Sequence, residues 1–179
     1  MNRLSTSLRS DLVIVAGLVA LGVAARLLPH EPNFTPIAAS TLFAATVLRT
    51  RLLAFAAPIL ALVISDMVLA SEMTSIRAVI YAMFMLPALA AFMPDRVRAP
   101  GMFVPAIIAY SLLFFVVTNL AVWAFSGMYP LTAAGLATCY AAALPFLPQT
   151  VIGDLFWAAV LFGGAALTQL APRLARRSA

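Results

Sequence analysis

An all-α integral membrane protein, folded as a bundle of six transmembrane helices, is predicted by three observations. The chain has 179 residues, 64% hydrophobic and only 9% charged. A soluble domain carries roughly 25% charged residues, and one this small cannot hide so much apolar surface in its own core. Charge-free runs at 32–48, 78–94, 99–153 and 155–172, with shorter ones at 12–25 and 52–65, are spaced to give six crossings of about 20 residues each. Period-2 alternation is absent, which argues against an outer-membrane barrel.

The expected spans within this single domain, 1–179, are 11–28, 36–48, 52–70, 76–93, 102–125 and 150–171. The first follows Arg3 and Arg9 and reads as an uncleaved first helix rather than a signal peptide, because further spans follow. Pro29, Pro32 and Pro36 bound the next gap, and Thr35-Pro36 has the pattern of an N-cap followed by proline in the first turn. The second span reaches only about 20 Å at 1.5 Å per residue, so it must lie beside thicker neighbours or start below the surface. Pro94 closes the fourth span and Pro100 precedes the fifth. Segment 131–147 is apolar but bounded by Pro130, Pro145 and Pro148, and fits either a seventh span or a hairpin.

Charge decides between these. Every basic residue is an arginine, and the net charge is +5. With six spans, the inner segments hold Arg3, Arg9, Arg49, Arg51, Arg96, Arg98, Arg173, Arg176 and Arg177, leaving Arg26 and Arg77 outside. This is the positive-inside pattern, with both termini cytoplasmic and 127–149 an outer hairpin packed as a partly buried lid. The same placement of arginines at helix ends reads as orientation, not nucleic-acid binding. The location implied is the bacterial cytoplasmic (inner) membrane, with the lipid bilayer as the first partner.

On this topology the polar residues gather in the outer half: Arg26, His30, Glu31, Asn33, Asp66, Glu72, Arg77, Asn119, Trp123, Tyr129, Gln149 and Asp154. Ionisable groups inside a membrane are expensive and mark functional sites by default. The expected substrate-binding set is Arg26, His30, Asn33, Asp66, Arg77, Asn119, Trp123, Tyr129 and Asp154. Six of these, Arg26, Asn33, Asp66, Asn119, Trp123 and Asp154, are expected around one outward-facing cavity. Each has a plainer alternative. Arg26 and Arg77 would snorkel to the interface, and Asp66 would pair with one of them as a structural ion pair. Asn119 would bond between helices, Trp123 and Tyr129 would sit in an aromatic belt, and Asp154 would be a favourable charge at a helix N-terminus. Glu31 and Glu72 read as solvated loop charges, and His30 has no metal-ligand partner at helical spacing.

Ala16, Ala20 and Ala24, with Gly17 beside them, form a small-residue stripe that permits close helix approach in lipid. The lone Cys139 excludes an internal disulfide and any multi-cysteine metal site, and reads as a small hydrophobe or as a soft ligand for a metal-bearing substrate. No H-E-x-x-H, G-x-S-x-G, P-loop or Cys–His couple is present, so no enzyme, resident metal or cofactor is expected.

The run Arg26-Leu-Leu-Pro-His-Glu-Pro-Asn-Phe-Thr-Pro-Ile-Ala-Ala, with Ser65-Asp66, Thr118-Asn119-Leu-Ala-Val-Trp123, Met128-Tyr-Pro, Cys139-Tyr140, Pro145-Phe146 and Gly153-Asp154, resembles a bacterial membrane family of unknown function labelled as transport proteins. The likeness covers about residues 20–165. That family is itself similar to the substrate-binding S-components of energy-coupling-factor (ECF) vitamin transporters. The resemblance implies a six-helix bundle with an outward-facing pocket. It also implies that Ala16, Ala20 and Ala24 meet a transmembrane coupling subunit, with ATPases as further partners. Some relatives work without a dedicated ATPase, and in one a cysteine binds cobalt. The function expected is binding and uptake of a small polar, vitamin-like molecule, zwitterionic or heteroaromatic. The rival expectation is a non-transporting structural or scaffolding inner-membrane protein.

Overall fold

The computed structural model describes residues 2–29, 31–71, 73–94 and 102–175, with side chains from Leu8 to Thr168. These residues form α1 (Asn2–Leu27), α2 (Ile37–Val47), α3 (Leu53–Val68), α4 (Ser75–Met85), α5 (Phe103–Phe125), α6 (Ala133–Ala143) and α7 (Leu147–Ala175), with 3₁₀ turns at Leu86–Phe92 and Leu144–Phe146. No strand occurs among them. Four stretches are long and apolar enough to cross a membrane: Leu8–Leu27, Ser75–Phe92, Phe103–Phe125 and Ala133–Thr168. The helices α2 and α3 are apolar but shorter, at 11 and 16 residues. Of the arginines expected on the inner side, Arg96, Arg98, Arg176 and Arg177 lie outside the described residues.

Contacts along the bundle give the direction of each helix. Thr50 N–H donates to Asp11, Arg26 pairs with Asp66, and a Cβ on Gly22 would meet Ala61, so α3 runs parallel to α1 with a constant offset of 39–40 residues. The chain then reverses into α4, whose Phe84 packs on Phe114 of α5 at 5.1 Å. It reverses again into α7, whose Asp154 and Phe162 lie beside Ser111 and Phe103 of α5. The start of α1, the end of α2 and the last turns of α7 therefore share one end of the bundle, where Asp11 is buried and caps the α2–α3 turn through Arg49 N–H at 3.4 Å and Thr50 N–H at 2.9 Å.

The short helix α2 is the core. It packs against α1, α3, α4, α7 and the Leu86–Phe92 turn, and buries Ile37, Ala38, Ala39, Ser40, Thr41, Ala44 and Ala45. Six of those seven side chains are small. In lipid, helices associate by close packing rather than by a hydrophobic drive, and small residues allow that approach. Contrary to expectation, α2 starts with Pro36 as its N-cap and without a side-chain cap bond from Thr35; the Pro36 carbonyl accepts the first helical bond, from Ser40 at 2.7 Å.

Prolines set two further features. Pro87 has no N–H to give the Met83 carbonyl, so the helix tightens to 3₁₀ from Leu86, and Met83 instead accepts from Leu86 N–H and from the Tyr110 hydroxyl at 3.2 Å. Pro145 and Pro148 interrupt the second half of the chain. The expected lid over 127–149 is a correction here. Residues 133–143 form a helix lying along the flank of α5, with Cys139 against the Asn119 carbonyl and the Tyr140 hydroxyl on the Val116 carbonyl at 2.6 Å, and it runs into α7 through the 3₁₀ turn. Thr132 caps it by accepting from Gly135 N–H at 3.1 Å. Only Gly135, Cys139 and Ala143 of this segment are buried, on the side that meets α5.

The tightest helix contact is at Gly22, where a Cβ would stand 2.8 Å from the Ala61 Cβ. A leucine there must push α1 from α3, an overpacking that costs about 1–3 kcal/mol. Gly22→Leu is expected to lower the thermal unfolding temperature of the detergent-purified protein. Gly17→Leu, where a Cβ would meet nothing within 4 Å, is expected to leave it unchanged.

Candidate functional site

At the end of the bundle where α1, α3 and α5 finish, three helices meet on one carboxylate. Asp66, on the last turn of α3, is held by Arg26 of α1 at 2.5 Å through Oδ1, and by Arg77 of α4 at 2.7 Å and the Tyr81 hydroxyl at 2.8 Å through Oδ2. The Asp66 side chain is 8% exposed, and those of Arg26 and Arg77 are 18% and 28% exposed. The local backbone is fitted to this. Ser71 N–H bonds back to the Asp66 carbonyl at 3.0 Å around Ala70, which sits at φ 48° in the left-handed region that usually takes glycine. Thr74 caps α4 by accepting from Arg77 N–H at 3.2 Å, which places Arg77 in its first turn, and Tyr81 follows one turn later on the same face. Asp66 is thus the structural ion pair of the plainer reading, with both basic residues engaged rather than one. The cluster carries a net charge of +1.

Beside it lies a cavity of 460 Å³. Its polar lining is Arg26, Asn33, Thr35, Thr118, Asn119 and Thr150; its aromatic walls are Phe84, Phe114, Phe115 and Phe146. Ile37, the first residue of α2, also lines it. Asn33 reaches the rim through the turn Glu31-Pro32-Asn33-Phe34, closed by Phe34 N–H on the Glu31 carbonyl at 3.0 Å, with Asn33 at φ 62°. Proline at the second position and a residue with positive φ at the third is the type II pattern. Phe34 then packs on Phe156 and Trp157 of α7 at 5.4 and 6.4 Å. Gly153 permits this seating, since a Cβ there would come within 3.1 Å of Phe34. Thr118 and Thr150 donate their hydroxyls to their own helices, at the Phe114 and Phe146 carbonyls. The Asn119 amide N–H donates to the Phe115 carbonyl at 2.8 Å, which leaves its Oδ1 as an acceptor.

The structure therefore brings together three of the six residues expected around one cavity: Arg26, Asn33 and Asn119. Asp66 and Arg77 instead line a separate groove of 270 Å³ with Met67, Met73 and Tyr81. Trp123 ties down the turn after α5 by donating Nε1–H to the Pro130 carbonyl at 3.0 Å, and Tyr129 is half-buried in that same turn. Neither lines the 460 Å³ cavity. Asp154 is not at a helix start but in the eighth position of α7, buried, with its Oδ2 accepting from the Ser111 hydroxyl at 2.7 Å, and it lines a cleft adjoining the main cavity. Cys139 is buried against α5 with its thiol on the Asn119 carbonyl, so it packs as a small hydrophobe and is not presented to the cavity. Ala16, Ala20 and Ala24 are exposed on the side of α1 away from α3. Glu31 is exposed, and His30 and Glu72 lie outside the described residues.

Several lining residues carry no sequence signal. Ser111, Tyr110, Thr118 and the four phenylalanines sit inside the long charge-free run or among many similar residues, and only the pairing of α4, α5 and α7 singles them out. Tyr81 was detectable in principle, four residues beyond Arg77.

The chain belongs to a family of unknown function, DUF6580, whose profile matches residues 6–175. No curated protein and no solved structure matches it.

Removing the Asp66 charge leaves two guanidinium groups facing each other in a largely dry site, and breaking one partner of a buried pair costs about 3 kcal/mol at the lower end of the usual range. Asp66→Ala is expected to lower the unfolding temperature strongly, and Asp66→Ala with Arg77→Met to recover part of the loss, as read by thermal melts of both variants in detergent.

Proposed function

We propose that this protein captures a small, vitamin-sized molecule in an outward-facing pocket of the bacterial inner membrane and serves its uptake. The observation that carries the reading is the 460 Å³ cavity beside Arg26, walled by Phe84, Phe114, Phe115 and Phe146 and edged by Asn33 and Asn119. Its volume lies in the range of small-molecule sites, and it joins apolar walls to a few convergent polar groups. The flat aromatic surfaces suit the body of a heterocycle. Because the Arg26–Asp66–Arg77 cluster has an excess positive charge, the polar end of the ligand is anionic or zwitterionic, with Arg26 as its contact.

In this reading α1, α2, α3, α4 with its 3₁₀ extension, α5, and α6 with α7 are six membrane passes in the manner of an S-component. Both termini lie in the cytoplasm, and the cavity opens outward. The short helices α2 and α3 are sheltered by longer neighbours. The exposed stripe Ala16, Ala20 and Ala24 is the face for a transmembrane coupling subunit and its ATPases.

A second reading, a scaffolding membrane protein that transports nothing, is favoured by one observation: Asp66, expected in the pocket, is bound by Arg26, Arg77 and Tyr81 and so joins three helices. The two readings differ over the cavity. A scaffold needs none, and substitutions lining it would leave its assembly unchanged.

Native mass spectrometry of the purified protein is expected to release a bound small molecule. Asn119→Ala should reduce its retention about tenfold, the loss of a hydrogen bond to a charged or polar group, and Phe115→Ala should do likewise through the lost ring face. Unchanged occupancy in both variants excludes the pocket and leaves the scaffold. The topology has its own check: a cysteine placed at position 179 in a Cys139→Ala background should resist a membrane-impermeant thiol reagent in intact cells and react only after permeabilisation.

A further inference from the structure

Three cavities follow one another through the bundle. The 460 Å³ outer cavity shares Asn33, Thr35, Phe84, Phe114 and Thr150 with a neck of 20 Å³. That neck shares Tyr110 and Asp154 with a third cavity of 250 Å³, which runs between α2, α5 and the Leu86–Phe92 turn to Thr46, Met93 and Phe103. Those last residues lie toward the end of the bundle that Asp11 caps, as the packing of Phe103 and Phe43 on Phe162 shows. A carboxylate thus stands where the outer and inner spaces meet.

Asp154 is 5% exposed. Its one hydrogen bond among the described residues is from Ser111, and neither ion pair among them involves it. The elements packed around it bring one other titratable group, Tyr110 of α5, whose hydroxyl donates to the Met83 carbonyl. The turn before α2 brings Asn33 and Thr35, α2 brings Ala38 and Ala39, and α4 brings Phe84, none of them titratable. Arg26 lines the outer cavity but not the neck, and is bound to Asp66. An ionised carboxylate this deeply buried, held by a single hydroxyl, must take up a proton or meet a cation. The neck has room for about one water and excludes a vitamin-sized ligand.

We propose that Asp154 is a proton-binding site at the neck between the two cavities, reached from the larger one past Asn33, Thr35 and Thr150. The step is a simple transfer: the carboxylate gains one proton from water in the larger cavity and returns it on ionising, and no other bond changes.

Infrared difference spectroscopy of the full chain in lipid vesicles, with the pH stepped, tests the site without any ligand. A carboxylic acid band is expected to appear on acidification, to shift in heavy water, to persist in Asp66→Asn and to be missing in Asp154→Asn. In Ser111→Ala, where the hydroxyl no longer favours the ionised form, the band should appear at about tenfold lower proton concentration; this variant carries the assignment if Asp154→Asn fails to insert. A spectrum with no band that depends on Asp154 or responds to Ser111→Ala overturns the proposal. So does a band that sodium abolishes at constant pH, which would make the site one for a metal cation. Failure of the pocket reading shows instead in the mass spectra, with the infrared titration untouched.

Discussion

The carboxylate of Asp66 has to be satisfied from within the chain, because an apolar surrounding offers it nothing. Two arginines and a tyrosine from α1 and α4 close on it, and three helices are thereby pinned at one level. The contact sets more than local order. With α1 parallel to α3, the clamp at one end and the Asp11 cap at the other hold the pair in a single register, and Gly22 against Ala61 brings them together between the two. The clamp also fixes the Arg26 guanidinium at the edge of the 460 Å³ cavity. The cavity owes its positive wall to an interaction whose first role is structural.

The cavity itself follows from the shortness of α2. Eleven residues rise about 16 Å, roughly half the hydrocarbon thickness. The helix fills the centre of the bundle at one end with small side chains and stops at Ile37, and the space beyond it is left between α4, α5 and the start of α7. Pro36 and the turn at Asn33 close the helix there, and Gly153 lets that turn rest on α7. The phenylalanines of α4 and α5 keep the space from collapsing, since bulky rings on facing helices prevent the close approach that alanines allow elsewhere.

The carboxylates of Asp66 and Asp154 are treated in opposite ways. Asp66 is compensated by more charge than it carries. Asp154 has one hydroxyl and an adjoining cleft. The two residues look alike in sequence, and only their partners distinguish them.

Composition and spacing alone determined that the chain is all-helical and apolar enough for a membrane, because a long charge-free run has few other stable fates and proline marks its ends. Three of the six expected spans, 36–48, 52–70 and 102–125, coincide with helices within two residues; 76–93 matches α4 only together with its 3₁₀ extension, and 11–28 and 150–171 fall on the longer α1 and α7. The polar residues that line or adjoin the cavity were legible too, since charges are rare in such a chain and each stands out. Their grouping was not. Asp66 falls to Arg26 and Arg77, Trp123 to Pro130, and Asp154 to Ser111, because a side chain's partner depends on which helix faces lie together and at what height, which apolar periodicity leaves open when every face is apolar. For the same reason 131–147 could be read as span or lid, while its place along α5 depends on Tyr140, Cys139 and Phe115 meeting across a helix pair. Sequence sets which groups cannot face lipid alone; only the packed helices decide which of them face one another.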